Sequence, residues 1–282
     1  MEDWEPYRQE AVRVAQEAGA LLRHYYRRLE GVELKGIGDP ITEADRASEQ
    51  QIRKELQRAF PGVPVYGEEY GFEQGPSQDA WERCWIVDPL DGTANFACGV
   101  PIFAVSIALL DRGSPVVGVV YDPLREECFT AARGQGARRN GRPIRPNRYP
   151  PTDGMAQIGV SADTIRHRPE FFRRILKGRS LGSAALQLVY VAAGHFAAAM
   201  DPLTKLWDVA AGAVILAEAG GVATHWDGSP LFPLDPQDPT PFQGRPFDYL
   251  ASNGVDHPLL VEWTRSAPPI QPLNPPVSPG TG

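Results

Sequence analysis

Cysteine is scarce in this chain: Cys84, Cys98 and Cys128 are the only three among 282 residues. An odd number without metal-type spacing excludes a disulfide framework and a cysteine-built metal site. Cys84 and Cys128 stand in or beside apolar runs and read as small buried residues. Positive charge is not in excess either. Twenty-eight Lys and Arg face 35 Asp and Glu, a net charge of −7, which argues against a broad nucleic-acid-binding face. The basic pairs Arg27-Arg28, Arg138-Arg139 and Arg173-Arg174 are scattered and read as solvated surface. No apolar run reaches membrane-spanning length, and no secretory signal pattern is present. The expectation is therefore a cytoplasmic, reduced setting, with neither a membrane nor a nucleic acid as partner. The five histidines form no cluster, and His195 falls in a helical run over 184 to 199, where packing explains it better than ligation. There is no internal repeat.

What is present is ordinary globular material, 42% hydrophobic and 22% charged, long enough to bury a large core as one or two domains. Ala11, Val14, Ala18 and Leu22 recur at helical spacing and predict a first helix over about 5 to 29. A second begins near Thr42 and stops before the breaker pair Pro61-Gly62. Strands are expected at 84 to 88, 103 to 110, 115 to 121 and 126 to 132, with a hairpin turn at Asp111-Arg112-Gly113-Ser114 and another turn at Asn140-Gly141. The Pro-rich passage 143 to 151 reads as a linker. It divides an N-terminal α+β half, 1–145, from a C-terminal α/β half, 146–266. A strand at 156 to 161, a helix at 168 to 177, helices starting at Ser183 and Asp208, and a late strand at 248 to 252 closing a second sheet are expected beyond it. Residues 231 to 247 hold five prolines and read as an extended surface loop. The Pro-rich tail 267–282 is expected to be disordered.

The chemistry concentrates in acidic segments that follow short apolar runs. In Trp85-Ile86-Val87-Asp88-Pro89-Leu90-Asp91-Gly92-Thr93-Ala94-Asn95-Phe96, a buried strand ends at one carboxylate and a second follows within a turn. Gly92 and Thr93 then offer N–H groups and a hydroxyl to an anion. Two carboxylates about 4 Å apart repel by roughly 4 kcal/mol at an effective dielectric near 20, a conflict that hard divalent cations remove. Taken alone, the segment is also a surface turn with an Asx hydrogen bond. Val65-Tyr66-Gly67-Glu68-Glu69 repeats the pattern, or is a solvated loop. Asp208 opens a helix that is apolar nearly all round and ends at Gly220-Gly221; the bland role for it is an N-cap. Thr42 with Asp45 resembles a capping box.

Together these segments resemble the inositol monophosphatase family of lithium-sensitive, magnesium-dependent phosphatases. Residues 88 to 96 match the Asp-Pro-x-Asp-Gly-Thr-x-Asn-Phe signature, and 207 to 221 match Trp-Asp-x-Ala-Ala-Gly followed by Glu-Ala-Gly-Gly. Gly67-Glu68-Glu69, Thr42 to Asp45 and Gly182-Ser183-Ala184 fall in the family's order. The resemblance implies a layered α-β-α-β sandwich of the inositol monophosphatase and fructose-bisphosphatase type. It implies two or three Mg2+ ions held by Glu68, Asp88, the Leu90 carbonyl, Asp91 and Asp208. It implies a phosphate held by Gly92 and Thr93, and a water oriented by Glu68 and Thr93, with Asp45 accepting the Thr93 hydroxyl. Attack would be direct and in line, without a phosphoenzyme. A homodimer is the usual assembly of such relatives.

The resemblance also places Gly182, Ser183, Ala184 and Asp201 against the substrate, Asp201 standing where inositol phosphatases usually carry Glu. Lys205 faces a second anionic group there or is a solvated loop lysine. Inositol monophosphate or a similar polyol phosphate leads as substrate. Fructose 1,6-bisphosphate, histidinol phosphate and 3′-phosphoadenosine 5′-phosphate remain alternatives. A metal- and phosphate-binding regulator without catalysis is the non-enzyme reading.

Overall fold

The computed structural model describes residues 2–29, 31–36, 39–72 and 81–265; the tail 267–282 lies outside them. Its centre is a seven-stranded sheet in the order Val65–Gly67, Arg83–Asp91, Ala104–Asp111, Ser114–Asp122, Glu127–Ala132, Ala137–Arg139 and Arg142–Pro143. All of its neighbouring pairs are antiparallel except the first. The strand Arg83–Asp91 shows why its sequence is a near-continuous apolar run. Trp85 and Val87 point into a core shared with the helices Glu5–Tyr25 and Glu43–Ala59. Cys84 and Ile86 point to the other face, onto the helices Ala184–Ala192 and Leu206–Ala219. A sheet covered on both faces has no polar side to alternate with.

The second of those helix pairs is sandwiched in turn. Beyond it lies a five-stranded sheet in the order Gly178–Arg179, Ile158–Val160, Ala198–Asp201, Tyr249–Ser252 and Val222–Thr224. Its far face packs on Phe171 and on Leu260, Val261 and Trp263 of the helix His257–Arg265. The layers run α-β-α-β, as the resemblance implied, with an outer helical layer in addition.

Both hairpin turns form as the sequence predicts. Arg112 and Gly113, then Asn140 and Gly141, hold positive φ at the two central positions, the twist that fits a tight hairpin. Other expectations need correction. The first helix ends at Tyr25 rather than 29. The helix over 168 to 177 is shortened to Pro169–Phe172, and a separate helix, Ala162–His167, precedes it; Pro169, with no N–H to continue the ladder, keeps the two apart. The helix from Ser183 stops at Ala192, and Ala198–Asp201 is a strand between Ile158–Val160 and Tyr249–Ser252. Its helix-forming Ala and Met residues yield to sheet pairing, so tertiary context overrides propensity. His195 consequently lies outside the helix, its ring edge-on to Tyr190.

The late strand Tyr249–Ser252 does not close its sheet; Val222–Thr224 lies outside it. The passage 143 to 151 is held by side-chain hydrogen bonds. Asn147 donates to the carbonyls of Gly194 and Phe196 at 2.9 and 3.0 Å, and Asn253 donates to Asn147 at 2.8 Å. Residues 231 to 247 form the expected loop, exposed over 235–239, but it is anchored at its ends. Leu231, Leu234 and Phe247 are buried in the central core, and the Leu234 N–H donates to the Gly113 carbonyl at 2.8 Å. The hairpin Glu33–Gly36 with Asp39–Ile41 and the helix His257–Arg265 have no counterpart among the elements expected from sequence.

Candidate active site

The site is built where a short edge strand ends beside a longer parallel one. Val65–Gly67 pairs with Arg83–Asp91 so that Gly67 lies opposite Val87. The next residues, Glu68 and Asp88, therefore come side by side, Glu68 just past the edge strand and Asp88 still paired with Ser106, and the Glu68 N–H donates to the Val87 carbonyl at 3.1 Å. Pro89 cannot join the ladder. One extra residue is accommodated between Asp88 and Asp91 as the register shifts against Ala104–Asp111, a bulge that turns both carboxylates the same way. Gly92 follows at φ 92°, and an added Cβ would lie 3.0 Å from the Ile102 carbonyl oxygen. Both conformation and space demand glycine there.

The third carboxylate comes from the other side of the sheet. Gly118 lets the helix Leu206–Ala219 approach so closely that a Cβ would meet the Ala211 carbonyl oxygen at 2.5 Å. Ser106 donates to the Trp207 carbonyl at 3.2 Å and fixes the start of this helix. Asp208 stands in its first turn, not at its N-cap; the cap is Lys205, whose N–H donates to the Asp208 carboxylate at 2.7 Å. The outcome is that ligand atoms of Asp88, Asp91 and Asp208 lie within 4.8 Å of one another.

Electrostatically this cluster is unfinished. Burial pushes Asp88 well above the carboxylate range, and the charges of Glu68, Asp91 and Asp208 add to it. Asp208 is raised well above its range by burial, then by Asp91 and Glu68. Asp91 is raised to about 6 by burial, against opposing hydrogen bonds. Those bonds come from the Ser183 hydroxyl and from the N–H groups of Ala184 and Ala185 at 3.2 and 3.0 Å. The candidate ligand atoms are carboxylate and carbonyl oxygens throughout, with no thiol or imidazole among them, the set that hard divalent cations prefer. Buried acids in mutual repulsion and an all-oxygen donor set fit such cations, which would remove the conflict.

The remaining residues singled out by sequence fall around this centre. Thr93 donates from Oγ1 to Asp45 Oδ1 and to the Leu90 carbonyl, both at 2.9 Å. A hydroxyl has one proton and satisfies one of them at a time. Asp45, raised by burial, accepts the Thr42 N–H at 2.8 Å through its other oxygen, completing the capping box. Glu68 stands apart from the three-acid cluster and accepts the Lys35 ammonium at 2.6 Å; Glu69 accepts the same group at 3.0 Å. Burial works against the charge of Lys35, but the two glutamates outweigh it and hold its pKa above the ordinary value. Burial and the Glu68 charge raise Glu69 to about 7.

Ser183 spends its hydroxyl on Asp91, and Ala184 its N–H. Gly182, at φ 70°, is clamped by Asn95. That side chain donates to the Leu181 and Ile102 carbonyls at 2.7 and 2.8 Å. Asp201, at the end of its strand, accepts the Leu203 N–H at 3.0 Å, and burial raises it to about 7. Lys205 contributes its backbone N–H to Asp208, while the ammonium beside Glu68 is that of Lys35.

Two contributors escaped the sequence reading. Lys35 sits on a hairpin with no motif to announce it. Asn95 belongs to the quoted signature, and its place two residues after Thr93 was the available signal.

The model of the inositol monophosphatase family matches residues 3–266. The chain is 40% identical over 235 residues to the Nus factor SuhB of Pseudomonas aeruginosa, covering 79% of this chain and 86% of that protein. It is likewise 40% identical over 227 residues to an inositol-1-monophosphatase of Mesorhizobium japonicum, covering 77% and 84%. Among solved structures, the Thermotoga maritima IMPase superposes with a TM-score of 0.78 at 32% identity, covering 90% of this chain and 95% of that one.

Proposed function

The chain belongs to the inositol monophosphatase family, a family of phosphoric monoester hydrolases, and on that premise we propose that it hydrolyses a small phosphate monoester with magnesium. The observation that carries the reading is the convergence of Asp88, Asp91 and Asp208 within 4.8 Å. Glu68, Asp88, the Leu90 carbonyl, Asp91 and Asp208 would hold the ions, two or three of them. Magnesium, when bound there, would offset charge on the phosphate and acidify water.

The protein's own groups do the rest. Gly92 and Thr93 present N–H groups to the phosphate oxygens. Thr93, backed by Asp45, and Glu68 receive and orient the attacking water, so that displacement runs in line. The bonds from Ser183, Ala184 and Ala185 to Asp91 hold that carboxylate's orientation. Uncatalysed monoester hydrolysis is among the slowest reactions known, so positioning and charge neutralisation must supply most of the acceleration.

Inositol monophosphate or a similar polyol phosphate is the leading substrate. Asp201 and the segment 182 to 184 would face its hydroxyls, and Lys205 a second anionic group. Fructose 1,6-bisphosphate, histidinol phosphate and 3′-phosphoadenosine 5′-phosphate are the alternatives. A homodimer, a cytoplasmic setting and lithium inhibition are the further expectations. A second reading, a regulator that binds metal and phosphate, is favoured by one observation: similar proteins from Pseudomonas aeruginosa and Escherichia coli carry the name Nus factor SuhB.

The test is phosphate release with magnesium from those four substrates, with Asp91→Asn as background. A preference that vanishes in the variant supports the reading and names the substrate. No release from any substrate moves the weight to the regulator.

A further inference from the structure

Glu68 is carried by an awkward element. Its strand, Val65–Gly67, is three residues long and lies at the edge of the seven-stranded sheet. The turn that follows closes on itself: the Gly67 N–H donates to the Gly71 carbonyl at 3.3 Å, and Gly71 returns the bond at 3.0 Å. Such a turn has little packing of its own with which to fix a carboxylate.

Beneath it lies a buried ion pair on the helix Glu43–Ala59. Glu49 is fully buried and Arg53 is 5% exposed. The Arg53 Nε donates to Glu49 Oε1 at 2.8 Å. Both side chains also bond to the turn. Glu49 accepts the Glu69 N–H at 2.7 Å and the Tyr70 N–H at 3.3 Å. Arg53 donates to the Val65 carbonyl at 2.9 Å and to the Gly71 carbonyl. The pair thus grips the strand before Glu68, the two N–H groups after it, and the far end of the turn. Gly67 is part of the fit, since a Cβ there would lie 2.1 Å from Glu49 Oε1.

We infer that Glu49 and Arg53 are positioning residues, a clamp that sets the backbone of residues 67 to 71 so that Glu68 leaves the sheet edge beside Asp88. This rests on the reading of Glu68 as a ligand of the metal centre. A buried ion pair is weak evidence for stability as such, because packed apolar side chains often serve as well. A clamp explains why both charges here are spent on one turn. Its signature is a loss of metal affinity that excess metal restores, unlike the loss of a ligand's own carboxylate.

The experiment titrates manganese(II) into the metal-free full-length chain by calorimetry, and in parallel follows the magnesium dependence of phosphate release. Glu49→Gln removes the charge. Gly67→Ala keeps both charges and displaces the carboxylate. Each variant is expected to weaken manganese binding by about ten-fold or more, the size seen when outer-shell partners of metal ligands are lost. The magnesium needed for half-maximal release should rise by the same factor. KM and turnover at saturating magnesium should stay within about three-fold of wild type. In the unaltered protein, the Glu69 amide should exchange its hydrogen about a hundred-fold more slowly than an open amide.

Unchanged manganese affinity in the folded variants overturns the inference. So does free exchange at the Glu69 amide, which requires no variant to fold. A chain that binds manganese in a Glu49-dependent way but releases no phosphate overturns the reaction and leaves the clamp standing.

Discussion

Glu49 and Asp88 are both withdrawn from solvent, at 0% and 1% exposure, on neighbouring elements of the same half of the molecule, and they are compensated in opposite ways. Glu49 has its guanidinium partner one helical turn away and two backbone N–H groups on its other side. Asp88 has one N–H, from Leu90 at 3.0 Å, and otherwise faces other acids, so that burial and like charge together drive its pKa up. A chain that completes one buried carboxylate with its own groups and leaves the next incomplete marks where external positive charge belongs. The contrast distinguishes scaffold from site more sharply than the number of acids does.

The largest effect expected from breaking this contrast is on turnover. Asp91→Asn removes one wall of the unfinished cluster, and phosphate release at saturating magnesium should fall by about a thousand-fold or more, with circular dichroism unchanged. Turnover within about ten-fold of wild type would sink the assignment.

Removing half of the completed pair should act on stability instead. Arg53→Met leaves Glu49 buried without its partner and should cost about 3–5 kcal/mol in urea unfolding. A cost below about 1 kcal/mol would show that Glu49 finds water or another partner.

The pH dependence sharpens the comparison. Asp91 is raised from an ordinary 3.8 to about 6, so the folded state keeps a proton that the unfolded chain has already released. The group costs nothing below about pH 4 and destabilises progressively as pH rises towards 6. A rise of that size corresponds to at most about 3 kcal/mol. Metal-free wild type should therefore lose stability relative to Asp91→Asn between about pH 4 and 6, as followed by melting temperature, and magnesium should reverse the order near neutral pH. Parallel curves without metal would refute the charge conflict.

The smallest effect belongs to a carboxylate outside the cluster. Glu218 accepts the N–H groups of Gly134 and Gly136, both at 2.8 Å, and tethers the turn after Glu127–Ala132. Glu218→Gln should change stability by no more than about 1 kcal/mol and leave magnesium-dependent release untouched. A large activity loss would mean that this turn communicates with the site.

Much of this was legible in the chain. The hairpins at Gly113 and Gly141 were readable because a tight turn needs positive φ at fixed positions, which Gly supplies at both and Asn140 at the second. The acids at 88, 91 and 208 were readable because each follows or opens an apolar element whose end is recognisable. The strand Ala198–Asp201 was not, since its residues favour helix in isolation and only pairing on both sides makes them extended. The burial of Leu231, Leu234 and Phe247 was hidden behind five prolines, because proline reports backbone freedom and says nothing of which side chain finds a core. Lys35 was hidden because its partners, Glu68 and Glu69, are more than thirty residues away.

The sequence by itself determined the local matters: the turns, the capping box at Thr42, the apolar strands covered on both faces, and two signatures specific enough to identify the family. Those depend on neighbours within a few residues and on periodicities of the backbone. Only the tertiary structure decided that Glu68 and Asp88 stand side by side on adjacent strands, that Gly118 admits the Asp208 helix, and that Asn95 and Ser183 brace the far side. Electrostatic energy depends on separation and burial in space, and neither can be read from distance along the chain.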